Sequence, residues 1–415
     1  MPQNLPFLRE SLFSVGFRAV SALAVGKTIA VAFGPAGTAL FGQAMNLYAA
    51  LFNLPADALA RAMVREGAAA HQEGREDGAK ASALTSSLLI LLLFAVQAAV
   101  SAGIAFYTDW FEPFQSGHGI LVFLLAFGLL SAASFSASYF LIWSRTRFQA
   151  ESASCMSLGG LLGLGLAWFA GLGFFSSLLG FFLGQAIGSL ALLLYRQAEI
   201  PFFFHLNNQN LALARKLLVF ALAVGASGII NQVSLYALVH WALEHLGADA
   251  VGKWMAMNRL ADAVNVPILA VANSILLPAL AGLAANRAGL KEFLRPIFRQ
   301  SLFWLVPVIL LLWWSYPFLL RVLFSREFVA DPALLPWQMA GDFFKSSTAV
   351  FAVLMLALGH TRFYFWLESA SALLVLAGSV LLFPRFGFAC LFITHAIRYA
   401  LYWLAIVLRY RSLFF

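Results

Sequence analysis

Apolar runs of about twenty residues follow one another along the whole chain, separated by short polar connections. A helix that crosses the hydrocarbon layer needs roughly 20 mostly apolar residues. Twelve stretches meet that requirement: 11–33, 38–62, 82–106, 119–143, 149–170, 175–195, 215–243, 252–282, 300–324, 335–359, 363–383 and 388–408. In lipid every backbone N–H and C=O must be bonded within the protein, so each stretch is expected to be helical. The expected fold class is an all-α polytopic membrane protein with about twelve transmembrane helices. Composition agrees, with 62% hydrophobic and 11% charged residues, where a soluble domain is about half apolar and a quarter charged.

The net charge of +8 comes from 26 Lys and Arg against 18 Asp and Glu. It does not mark a nucleic-acid partner, because most of the cations fall in alternate short loops. Arg61, Arg65, Arg75 and Lys80 share one connection, Arg145 and Arg147 another, and Arg196, Arg215 and Lys216 a third. Arg287, Lys291, Arg295 and Arg299, then Arg362, then Arg409 and Arg411 continue the series. The intervening turns, GPAG at 34–37, the Asp109/Glu112 loop and GLGFF at 171–175, are poor in cations. The positive-inside rule therefore predicts that both termini face the cytoplasm. Cys155 and Cys390 lie far apart in or beside apolar segments, with neither metal spacing nor the prospect of a disulfide.

No connection is long enough to hold a soluble domain. The polar loop 196–214 falls halfway and predicts a division into an N-terminal six-helix lobe, 1–200, and a C-terminal one, 201–415. A short echo supports an internal repeat: Ala44-Met45-Asn46-Leu47 returns as Ala256-Met257-Asn258. Repeats with a site at their interface are typical of secondary transporters.

Within this apolar background the stretch Leu335–Glu368 is unusual. Gln338, Asp342 and Lys345 stand at i, i+4 and i+7 and so share one helix face. At 1.5 Å per residue, Asp342 sits about 10 Å deep and Lys345 near the midplane. A charge there costs on the order of 3 kcal/mol or more, so it faces a cavity or a partner. An i, i+3 pair of Asp342 with Lys345 is the simplest expectation. Polar stripes recur at Ser14, Arg18 and Ser21, at Ser227, Asn231 and Ser234, at Asn258, Asp262 and Asn265, and at His395, Arg398 and Tyr402. Arg18, Arg259, Asp262, Asp342, Lys345 and Arg398 facing lipid would together cost about 15 kcal/mol, which favours a shared hydrated cavity. Prolines 55, 267, 278 and 307 free backbone carbonyls inside spans.

Catalytic motifs are missing from the sequence. It has no HExxH, no GxSxG and no phosphate-cradling GxxxxGK[ST], and no cofactor is expected. The expectation is a protein that is not an enzyme.

The run Leu323-Phe324-Ser325-Arg326-Glu327-Phe328, with Trp337-Gln338-Met339-Ala340-Gly341-Asp342-Phe343-Phe344-Lys345, resembles the Wzx-type flippases of bacterial polysaccharide assembly. The likeness is strongest to the branch that serves enterobacterial common antigen. Arg362-Phe363-Tyr364, Glu368, Val25-Gly26-Lys27, Phe33-Gly34-Pro35-Ala36-Gly37, Asp262 and Leu276-Leu277-Pro278 extend it along most of the chain. The resemblance implies the multidrug/oligosaccharidyl-lipid/polysaccharide superfamily, with two six-helix lobes around a central cavity. It implies a bacterial inner-membrane protein that moves an undecaprenyl-pyrophosphate-linked oligosaccharide from the inner to the outer leaflet for common-antigen or O-antigen assembly. Protons or sodium would drive it, and a polysaccharide polymerase and chain-length regulator would be its partners alongside membrane lipids. Residue by residue, it implies headgroup contacts from Lys27 and Lys345, to which the deep cations Arg18, Arg259 and Arg398 are added by their position. Ion coupling falls to Asp342, Asp262 and Glu368. Arg259 and Arg398 depart from the family pattern and suit an acidic glycan or a different grip on the pyrophosphate. The alternative is a multidrug or cation antiporter of the same superfamily, but there the cavity is acidic, whereas here deep cations outnumber deep anions. A peptidoglycan-precursor flippase would carry two more helices, and a membrane glycosyltransferase or polymerase a large outer loop.

Overall fold

The structure, a computed structural model, describes residues 5–107, 146–196, 211–271, 286–328 and 331–414, with scattered positions at 126–142 and 276–283. The side chains of residues 1–15, of Arg18 and of some further positions lie outside what it describes, as does most of the expected span 119–143. Every described element is helical: α1 Leu5–Tyr48, α2 Leu54–Gln72, α3 Glu76–Tyr107, α4 Thr146–Phe169, α5 Phe174–Tyr195 and α6 Leu211–Leu246. These are followed by α7 Ala248–Val271, α8 Arg287–Leu323, α9 Leu335–Ala357, α10 Thr361–Phe386 and α11 Cys390–Phe414. Among the described residues, seven stretches are long and apolar enough to cross a membrane, and two of them, 49 and 54 residues long, have length for two passes. The helices α7 and α9, which carry the paired charges, are not among those seven.

Helix limits differ from the expected spans where a helix outruns its apolar run. The connection 287–299 was expected as an inner loop, yet α8 begins at Arg287. Leu290, Leu294 and Phe298 are buried at i, i+4 and i+8, while Arg287, Arg295 and Arg299 remain exposed. An apolar-length rule sees only the part in hydrocarbon and misses such an amphipathic extension. Asn286 caps it, its Oδ1 accepting from the Gly289 N–H at 3.0 Å. The polar loop 63–81 is helical for the same reason, apart from a turn around Gly74.

The chain divides into two compact units, Met1–Val25 with Leu47–Ile229, and Gly26–Asn46 with Ile230–Phe415. In the first, α4 and α5 pack backbone to backbone. A Cβ on Gly159 would lie 2.1 Å from the Gly184 carbonyl oxygen, one on Gly163 2.0 Å from that of Gly180, and one on Gly188 2.2 Å from that of Cys155. Glycine at every fourth position is what lets membrane helices approach so closely. Arg196 fixes one end of the pair, its Nη2 2.8 Å from both carboxylate oxygens of Glu151. In the same unit a π-helical turn, Ala49–Asn53, precedes Pro55. Proline has no N–H to offer the carbonyl four residues back. That carbonyl, on Leu51, instead accepts from Gln97 Nε2 on α3 at 2.6 Å.

The second unit begins inside α1. At Gly34 the helix breaks with φ 66°, ψ −164° and resumes at Pro35, where the sequence predicts an outer turn. Proline suits a first helical position because its missing N–H is unpaired there anyway. Gly252 of α7 meets this break so closely that a Cβ would sit 1.9 Å from the Pro35 carbonyl oxygen. Helices α7 to α11 then pack together, α9 against α7, α8, α10 and α11. On α8, Trp304, Leu311, Trp314 and Phe318 are left more than 60% exposed by the chain. Such a stripe is the surface a bilayer covers.

Candidate functional site

The polar stripes of α6, α7, α9 and α11 converge inside the second unit. Lys345 on α9 bonds Asp262 on α7, Nζ to Oδ1 at 2.5 Å. The expected i, i+3 pair of Lys345 with Asp342 is therefore not the contact formed. The Asp342 carboxylate accepts from Gln338 Nε2 at 3.0 and 3.1 Å, and its Oδ1 lies 3.0 Å from His395 Nε2 on α11. Gln338, Asp342 and His395 are 0%, 3% and 7% exposed. Stripe spacing tells which residues share a face, but not which neighbouring helix that face meets. Here it meets an acid on one side and an imidazole on the other.

One turn beyond, Ser346 donates to Asn265 Oδ1 at 2.7 Å. Asn265, Ser346, Asp342 and Tyr316 border a cavity of about 10 Å³ for a water's centre, room for a single molecule. Tyr316 closes it from α8, its hydroxyl donating to the Met257 carbonyl at 2.8 Å.

Arg398 and Glu368 form a second cluster. Arg398 donates through Nε to Ser371 Oγ and through Nη2 to Asn231 Oδ1, both at 2.7 Å, and is 5% exposed. Tyr402 donates to Glu368 Oε1 at 2.9 Å. The Tyr399 ring stands between two cations, 4.9 Å from the Arg398 guanidinium carbon and 5.8 Å from Lys345 Nζ. Arg398 therefore serves as a cross-link among α11, α10 and α6.

Arg259 is held differently. Its guanidinium lies over the Phe41 ring at 4.5 Å, next to Gly26 and Phe324. No side chain or carbonyl among the described residues accepts a hydrogen bond from it, and Asp262 lies one turn further along α7. Lys27, beside Gly26, donates to the Val322 carbonyl at 2.8 Å. That carbonyl is among the last four of α8 and has no partner within the helix. Arg18 lies on α1 with its side chain outside the described residues. The structure thus unites Lys345, Asp262 and Asp342 at α9, sets Lys27 and Arg259 about Gly26, and keeps Arg398 with Glu368. Sequence reasoning marked His395 and Asn231 as stripe members but assigned them no task. Tyr399 and Ser371 were unmarked, because one residue off a stripe gives no signal.

This fold is that of the MOP-superfamily transporters. An outward-facing multidrug resistance MATE transporter superposes with a TM-score of 0.70 at 12% identity, over 97% of this chain and 94% of its own. A lipid II flippase, MurJ, in an inward closed conformation gives 0.65 at 14%, over 98% and 87%. The sequence is 26% identical over 380 residues to the lipid III flippase of Escherichia coli strain K12, covering 88% of each chain. The Shigella flexneri protein of the same name matches equally. The resemblance to lipid-linked oligosaccharide flippases read from the sequence is borne out by these relatives. No family profile matches the chain. The protein is a multi-pass membrane protein with a transporter fold.

Proposed function

We propose that this chain is a flippase that moves an undecaprenyl-pyrophosphate-linked oligosaccharide from the inner to the outer leaflet of the bacterial inner membrane. Its product would feed surface polysaccharide assembly, common antigen or O-antigen, with a polymerase and chain-length regulator as partners. The observation that carries the reading is Arg259, whose guanidinium is positioned by Phe41 and spends none of its hydrogen bonds on the described residues. A guanidinium presents paired N–H donors that fit phosphate or carboxylate oxygens, and leaving such donors unspent among packed helices is costly. A relative named lipid III flippase over 88% of the chain supports the same cargo class. The lipid tail stays in the bilayer while the anionic headgroup seeks the cations.

In this reading Arg259, Lys345 and Lys27 contact the headgroup, and Arg398 holds α11 to α10 and α6 through Ser371 and Asn231. Asp342, Asp262 and Glu368 respond to the coupling ion, a proton or sodium. The chain is read as two six-helix lobes, 1–200 and 201–415, with both termini in the cytoplasm, and as a protein that performs no covalent chemistry. Mass spectrometry of lipid that copurifies with the protein tests the proposal. A polyprenyl pyrophosphate glycan depleted in Arg259→Gln is the expected result, and its absence from the wild type would sink it. The fold likeness to MATE transporters favours a second reading, a multidrug or cation antiporter. Gradient-driven efflux of a cationic dye from proteoliposomes, with no glycolipid retained, would establish that reading instead.

A further inference from the structure

Asp342 has a partner on another helix, His395 of α11. His395 Nε2 lies 3.0 Å from Asp342 Oδ1, with both side chains buried. Gly341 makes the approach possible: a Cβ there would stand 2.0 Å from His395 Cδ2. The imidazole therefore packs on the α9 backbone one residue before the acid, at a place only glycine permits. Gln338, a turn earlier, donates to both carboxylate oxygens. Gln338 and His395 supply the hydrogen bonds that Asp342 makes among the described residues, which leaves Lys345 to Asp262.

We infer that His395 is a positioning residue for Asp342 and its proton-sharing partner. With Gln338 it turns the carboxylate away from Lys345, so the site holds two separate acid–base pairs, Asp342 with His395 and Asp262 with Lys345. The inference rests on the flippase reading only for its role in coupling. The charged groups acting on the imidazole are Asp342 and Lys345 of α9 and Arg398 of α11, and the Tyr399 ring meets it edge-on at 5.1 Å. Asp342 alone among these is an acid. A proton entering the pair has two seats, a carboxylate oxygen or Nε2, and passes between them along one hydrogen bond. With the proton on Nε2 and the carboxylate ionised, the imidazole donates. A further proton makes either an imidazolium beside the ionised carboxylate or a neutral carboxyl beside the neutral imidazole; either way the pair gains one positive charge next to Lys345 and Arg398, which biases the packing of α11 on α9. A bistable packing biased by one proton is what ion coupling requires.

The test uses the full chain in lipid nanodiscs with ¹⁵N-labelled histidine, the His395 signals being assigned by their loss in His395→Gln. Asp342→Asn should move the His395 resonances and their titration, and Gly341→Ala should do the same by pushing a methyl group into the ring. Asp262→Asn should leave them nearly in place. This arm needs no transport, so it stands or falls apart from the flippase reading. Identical His395 spectra in wild type and Asp342→Asn would overturn the contact. The second arm measures glycolipid flipping in proteoliposomes against pH. His395→Gln keeps a donor for the carboxylate but cannot take the proton, so the protein should fold with an unchanged melting temperature. Its flipping profile against pH should shift by about one pH unit or more. A profile that coincides with the wild type would refute the proton-sharing role.

Discussion

Lys345 is bonded to Asp262 on α7, and not to Asp342, three residues before it on its own helix. The lysine thus ties two helices together, where an i, i+3 pair would have tied α9 only to itself. Asp262 keeps 55% of its side chain accessible and Lys345 21%. Under the proposed function, an anionic headgroup would reach the lysine by displacing this accessible carboxylate, without opening the buried Asp342 contact.

Charge exchange tests that partner choice. Lys345→Asp or Asp262→Lys alone should each destabilise the protein by about 1–2 kcal/mol, a modest figure for a pair that is only partly desolvated. The double exchange Asp262→Lys/Lys345→Asp should recover more than half of the loss in thermal melts. Exchange of Lys345 with Asp342 should recover nothing. Recovery in the second pair but not the first would reverse the assignment.

The two deep arginines should separate binding from stability. Arg398→Lys cannot keep both the Ser371 and Asn231 bonds, and should cost about 2–3 kcal/mol, as removal of a buried charged hydrogen bond does. Arg259→Gln breaks no hydrogen bond to a described residue and should leave the melting temperature within about 2 °C. Glycolipid affinity in nanodiscs should fall about tenfold in Arg259→Gln, the loss of one good charged contact. Equal stability losses in the two variants would contradict the division.

The bond from Gln97 to the Leu51 carbonyl exists because Pro55 offers that carbonyl no N–H. Gln97→Leu should therefore cost about 1–2 kcal/mol by stranding a buried acceptor. Adding Pro55→Ala should restore part of that stability, because an N–H returns within bonding reach. Strictly additive effects in this double-mutant cycle would show that the two residues do not share the carbonyl.

Topology is tested by impermeant thiol labelling of whole cells. Cysteine at Glu73, in the exposed turn between α2 and α3, should react only after the cells are permeabilised. Cysteine at Leu172, in the turn between α4 and α5, should react from outside. Labelling of both from outside would invalidate the proposed orientation.

Much of the fold was legible because a bilayer imposes length and polarity so strictly. The break at Gly34, the turn near Gly171 and the helix that begins at Leu335 follow from glycine and the pattern of apolar runs. Helix ends were misread wherever the chain leaves hydrocarbon as an amphipathic helix, as at Arg287. At the site, stripe membership was readable and pairing was not. Asp342, Lys345, His395 and Asp262 could each be placed on a helix face, but which face meets which depends on helix rotation and offset. Those are set by small contacts such as Gly341 against His395, and no local pattern announces them. The glycine spacing of α4 and α5 was readable in principle, yet its weight lies in contacts between two helices.

That α4–α5 seam also limits how this chain can change over generations. Any single-base change that alters the meaning of a glycine codon either installs a side chain or ends translation. At Gly159, Gly163, Gly184 and Gly188 an added carbon would overlap a carbonyl oxygen of the facing helix. No second substitution removes the obstructing atom, which belongs to the main chain and is the same for all twenty amino acids, so the two helices themselves would have to move apart. Drift can repaint the lipid-facing sides of these two helices freely, while the line along which they touch admits no gradual route to a different sequence.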